Sequence, residues 1–95
     1  DFTDRFNNKL NIDKEDSIEI NKIANLCIEH NLIFDNTPPS MAAGCIYLYI
    51  KLKNLKINKK TISSMCLISE VTINKCYKKL TLEKKFMEDV TKYLE

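Results

Sequence analysis

Apolar residues recur along this 95-residue chain at intervals of three and four, the spacing of one helix face, and nowhere alternate with the period of a strand. Phe2, Phe6 and Leu10 mark a short amphipathic helix. A second pattern runs from Asp13 to Asn31, with Ile20, Ile23, Ala24, Cys27 and Ile28 on one stripe. Asp16 or Ser17 is expected to cap its start, and Asn31 to stop it. The stretch "NTPPS", Asn36 to Ser40, breaks the helical pattern, because proline fixes φ and bars the residue before it from helix. Thr37 or Ser40 then opens a third helix, "MAAGCIYLYIKLK", which is apolar nearly all round and so belongs at the centre of the domain. Ala42, Ala43 and Gly44 are small enough to let a neighbouring helix approach closely. Gly44 costs about 1 kcal/mol of helix propensity relative to alanine, which implies a packing reason for it. "KNLKINKK" reads as a basic linker. Phe86, Met87, Val90, Tyr93 and Leu94 form a last stripe. The expectation is all-α: five core helices over residues 1–80 and a C-terminal helical extension over 81–95, with no internal repeat.

The stretch "TISSMCLISEVTINKCYKKL", Thr61 to Leu80, predicts a helix-turn-helix over about residues 59–80. One helix runs from about Lys59 to Cys66 and a second from about Glu70 to Leu80, with Ser69 as its N-cap. With Ile73 buried early in the second helix, Ile62 and Cys66 face inward from the first. Ser63 then sits where the helices cross, Ile68 plugs the corner, and Cys76 and Leu80 continue the inner face. Ser69, Val71, Thr72, Asn74, Lys75 and Lys78 are left pointing outward. Their chemistry suits duplex DNA. Val71 and the Thr72 methyl can pack on a thymine methyl, Asn74 can pair with adenine in bidentate fashion, and Lys75 can reach guanine acceptors. Lys78, Lys79, Lys59 and Lys60 suit phosphates, and backbone N–H groups at the two helix starts would add to them. The alternative is a solvated lysine face over two core helices. Leu67 stands where such a corner usually has glycine, so either a left-handed leucine costs about 1–2 kcal/mol or the turn is rearranged.

Composition sharpens this picture in one respect. The net charge of +2 hides an asymmetry: residues 1–50 hold eight acids and four bases, residues 51–95 eleven lysines and five acids. So polarised a molecule can face an anion with one side and a different partner with the other. Abundant Asn, Lys and Ile is also what an AT-rich genome would encode. No apolar run approaches the roughly 20 residues of a membrane span. Beginning at Asp1, the chain reads as a piece of a longer protein. Cys27, Cys45, Cys66 and Cys76 form no CxxC pair and fall on apolar helix faces, so four reduced, buried thiols are expected, in a cytosolic or nuclear compartment. Cys27-x-x-His30 lacks two further ligands for zinc, so no metal or cofactor is expected. The single His30 has no nucleophile beside it, and no glycine-rich phosphate loop occurs, so the reading is not an enzyme. The acids from Asp13 to Asp16 suit a helix start favoured by the macrodipole.

The residues from Thr37 to Leu80 carry a resemblance. Thr37-Pro38, Ser40, Ala42-Ala43, Ile46-Tyr47, Ile62, Val71-Thr72-Ile73, Tyr77-Lys78 and Leu80 resemble the second cyclin-like repeat of the transcription factor IIB family. "RFNNKL" and "ANLCIEHNL" resemble that family's earlier helices, so the likeness runs from about Phe2 to Leu80. It implies a five-helix cyclin-like fold and a nuclear protein of the preinitiation complex. It also implies double-stranded promoter DNA read in the major groove just upstream of the TATA element, docking with the TATA-binding protein, and recruitment of RNA polymerase through the full-length factor. Carried over by position, Val71, Thr72 and Lys75 are base-proximal, and Lys78 and Lys60 lie at phosphates. Asn74 departs from the family's usual arginine, and its chemistry prefers adenine to guanine. The alternative is a cyclin-type interaction domain that holds a kinase or another protein. Such a domain does not require a basic helix with small residues in its first turn.

Overall fold

The computed structural model describes residues 1–32 and 37–94. Among them are six helices: α1 (Phe2–Lys9), α2 (Lys14–Glu29), α3 (Pro38–Lys53), α4 (Lys59–Cys66), α5 (Glu70–Leu82) and α6 (Lys84–Leu94). The fold is the all-α, cyclin-like one that the periodicity and the resemblance together led us to expect. Asn36, the first residue of the expected proline break, and Glu95 lie outside the described residues. Pro38 and Pro39 open α3, where a missing N–H removes no helical bond.

Helix α3 is the centre, as its all-round apolar sequence required. Ala42, Ala43, Cys45, Ile46, Leu48, Tyr49 and Ile50 are buried, and α3 touches α1, α2, α4 and α5. The reason for Gly44 is the crossing of α3 over α5. A Cβ added there would lie 2.6 Å from the Cβ of Cys76, a distance that ordinary side chains do not reach. All four cysteines are free and buried. Cys27 Sγ donates to the Leu32 carbonyl at 4.0 Å, and interaction between the Cys27 and Cys45 thiols lowers the pKa of the first and, with burial, raises that of the second.

Three helix ends use asparagine where glycine is the common choice. Asn11, Asn31 and Asn54 have φ of 54°, 56° and 55°. Behind each, the next N–H reaches back five residues: Ile12 to the Asn7 carbonyl at 3.0 Å, Leu32 to Cys27 at 3.1 Å and Leu55 to Ile50 at 3.0 Å. This is the Schellman stop, and asparagine tolerates its left-handed residue better than other side chains do.

The start of α2 corrects one expectation. Neither Asp16 nor Ser17 caps it: the helix begins after Asp13, whose side chain makes no capping bond. Asp16 instead accepts from the hydroxyl of Tyr49 at 2.5 Å, beside Glu19 at 2.8 Å. A fully buried tyrosine needs an acceptor, and α2 supplies two. Ser17 Oγ turns back to the Ile12 carbonyl at 3.4 Å.

Helix α6 lies against α2 and α5 and buries Phe86 and Val90. His30 Nε2 and Asp89 Oδ2 meet at 2.7 Å, and the His30 ring stands edge-on to Phe86 with centroids 5.9 Å apart. His30 and Cys27, two residues of one sequence motif, are thus engaged with different partners.

Candidate nucleic-acid interface

The corner between α4 and α5 has the predicted register. Asn58 caps α4, its Oδ1 accepting from the Thr61 N–H at 2.8 Å. Ile62 and Cys66 face inward, and Leu67 ends the helix at φ 58°. The turn is not rearranged: a leucine takes the left-handed conformation that glycine takes elsewhere. Its side chain is 83% exposed. Ile68 is half-buried, in the plug position. Ser69 then caps α5, its Oγ accepting from the Thr72 N–H at 3.2 Å and donating to Thr72 Oγ1 at 2.9 Å.

Ile73, Cys76 and Leu80 are each 0% exposed, so the inner face of α5 is locked. Helical geometry then puts Val71, Lys75, Lys78 and Leu82, spaced by four, three and four, on the opposite face. All four are exposed. Asn74 and Thr72 flank this stripe and are half-buried. The Ser69 hydroxyl is occupied in the cap, whereas the hydroxyl proton of Thr72 remains available. Lys60 is exposed in the first turn of α4.

Lys59 is placed differently. It is half-buried, and its Nζ lies 5.9 Å from the centre of the Tyr47 ring. Lys51 approaches the same ring to 5.9 Å, and Tyr77 of α5 meets it edge-on with centroids 5.0 Å apart. Sequence reasoning left out Lys51 and Tyr47. The local signal was there, since residues 47 and 51 are one helical turn apart. Nothing local tied them to Lys59. Sequence reasoning also treated Leu67 as a cost alone and passed over Leu82, although both put large apolar side chains into solvent next to the basic residues.

Among the described residues no group of three or more metal-ligating side chains could hold an ion. No helix among them is long and apolar enough to cross a membrane.

A small all-α domain with a helix-turn-helix at α4 and α5, with lysines on the outer face of the second of these helices, is the class these observations define. The profile of the transcription factor TFIIB repeat matches residues 1–83, so the chain belongs to that family. It is similar to a putative transcription initiation factor IIB-like protein of Acanthamoeba polyphaga mimivirus, 38% identical over 84% of this chain and 17% of the relative. It is also similar to transcription initiation factor IIB of Dictyostelium discoideum, 29% identical over 84% of this chain and 25% of the relative. The chain thus spans a quarter or less of the length of these relatives. No solved structure matches it significantly.

Proposed function

We propose that this chain is the promoter-binding module of a transcription initiation factor, corresponding to the second repeat of its family. In this reading α5 enters the major groove upstream of a TATA element, the domain docks with the TATA-binding protein, and the longer factor recruits RNA polymerase in the nucleus. The observation that carries the reading is the two-faced α5. Its inner face is closed by Ile73, Cys76 and Leu80, and its outer face offers Val71, Lys75 and Lys78 to a partner. Asn74 and Thr72 stand at the edge of that face, where side chains reach base edges when a recognition helix lies in the groove. Lys59 and Lys60 are assigned to the phosphate backbone, and Ser69, whose hydroxyl is used in the cap, to positioning the first turn of α5 against it.

The test is a gel shift with a TATA-containing duplex, with and without the TATA-binding protein, in which the upstream bases are varied. A shift that depends on those bases and weakens steeply with salt supports the reading. Binding indifferent to both salt and sequence sinks it. Asn74→Arg is expected to change the preferred upstream base by about 1–3 kcal/mol at one position. An unchanged preference would show that Asn74 does not face the bases.

A further inference from the structure

A cleft of about 270 Å³ lies between the end of α3 and the start of α4. Its polar lining is Tyr47, Lys51, Asn54, Asn58 and Lys59, and no carboxylate lines it among the described residues. Two of these groups are ammonium ions brought to one aromatic ring from elements separated by a loop. A tyrosine face attracts a cation only weakly at an exposed site, enough to orient a lysine but not to neutralise it. Neither Lys51 nor Lys59 has a carboxylate within ion-pair distance among the described residues. Asn58 uses Oδ1 for its cap, which leaves its amide N–H groups as donors. The cleft therefore presents positive charge and carboxamide donors around a ring that also packs on Tyr77, next to Lys78 of α5. Such a lining favours an anion and disfavours a cation.

We infer that the cleft formed by Tyr47, Lys51, Asn54, Asn58 and Lys59 binds a backbone phosphodiester of the duplex whose groove α5 enters. The inference rests on the proposed DNA reading and deepens it, adding Lys51 and the Tyr47 platform as a phosphate clamp outside the recognition helix. Tyr47 is a positioning residue: its ring holds both ammonium groups at the cleft mouth. Contact with Tyr77 ties that mouth to α5, so seating the helix and seating the phosphate are one event. Such a clamp adds affinity and register and carries no base preference.

The test is the salt dependence of duplex binding, read by fluorescence anisotropy of labelled TATA-containing DNA. The unmodified chain, Lys51→Ala, Lys51→Arg and Lys92→Ala are compared. Loss of one phosphate contact lowers the magnitude of the slope of log Kobs against log[KCl] by about 0.9. Lys51→Ala is expected to show that loss, with affinity reduced for all duplexes alike, and Lys51→Arg to restore the slope. Lys92→Ala removes the same charge from α6, which touches neither α3 nor α4, and is expected to keep the slope. Circular dichroism identical to that of the unmodified chain shows that Lys51→Ala is folded. If the unmodified chain binds with a steep slope and Lys51→Ala leaves it unchanged, the clamp is wrong and the recognition helix stands. If the unmodified chain shows no salt-dependent binding, both fall together.

Discussion

In α1 and α2 the acids Asp4, Asp16 and Glu19 are held by partners within the fold, whereas Lys60 of α4 and Lys75 and Lys78 of α5 make no ion pair among the described residues. Asp1 caps α1 through the Thr3 N–H at 2.8 Å, and Asp4 accepts from Asn21 Nδ2 at 2.8 Å. Asp16 and Glu19 share the hydroxyl of Tyr49. Lys60, Lys75 and Lys78 have no carboxylate within ion-pair distance among the described residues. Both halves are strongly charged, but the first uses its charge to assemble the helices. The second leaves Lys60, Lys75 and Lys78 outside, and on α5 the apolar inner face beneath is closed without them. The difference separates residues that build the fold from residues that the proposed reading gives to a duplex, and each substitution tests on which side a residue falls.

The largest effect is expected at the crossing beneath the basic face. Gly44→Ala forces α3 away from Cys76, an overpacking cost of about 3 kcal/mol against about 1 kcal/mol returned by helix propensity. A thermal melt is expected to drop by about 10 °C. An unchanged Tm would mean that the helices part freely, and that α5 is not rigidly held.

On the acidic side, Tyr49→Phe removes the donor shared by two carboxylates and is expected to cost about 1.5 kcal/mol in urea unfolding. Alkaline pH probes the same group. Burial first, and then Asp16 and Glu19, push the Tyr49 hydroxyl above its usual range, and burial pushes the Cys66 thiol up to about 11. Both groups hold their protons longer when folded than when unfolded. Their contribution is therefore complete below the unfolded values and is lost as pH rises through the folded ones. The urea midpoint is expected to fall from about pH 9 upward, and Tyr49→Phe to flatten the part of that fall above about pH 10. A midpoint constant to pH 11 would contradict the packing around both groups.

At the corner the sign reverses. Leu67→Gly relieves a left-handed leucine whose side chain is largely in water, and is expected to stabilise by up to about 1 kcal/mol. A loss of stability would show that Leu67 packs more than its exposure indicates.

The smallest change in stability is expected at the lysines. Lys75→Ala and Lys78→Ala should each move it by less than about 0.5 kcal/mol. In duplex binding, Lys78→Ala should instead reduce the salt slope by about 0.9 and weaken all sequences alike. A large loss of stability would place these lysines with the builders and remove the contrast.

The amino-acid sequence by itself determined the helices and most of their faces, although Ile28, expected on the buried stripe of α2, is 74% exposed. Ile62, Cys66, Ile73, Cys76 and Leu80 are buried where a 3.6-residue period puts them, and Ser69 caps α5 as its position required. These features are legible because periodicity and capping involve residues within one or two turns of each other. Tertiary structure alone decided the rest. It drew Asp16 to a tyrosine 33 residues away and joined His30 to an aspartate 59 residues away. It also brought Lys51 and Lys59 to the ring of Tyr47. Such pairings leave no periodic trace, because what selects them is the distance between packed helices, and that distance exists only after the chain has folded.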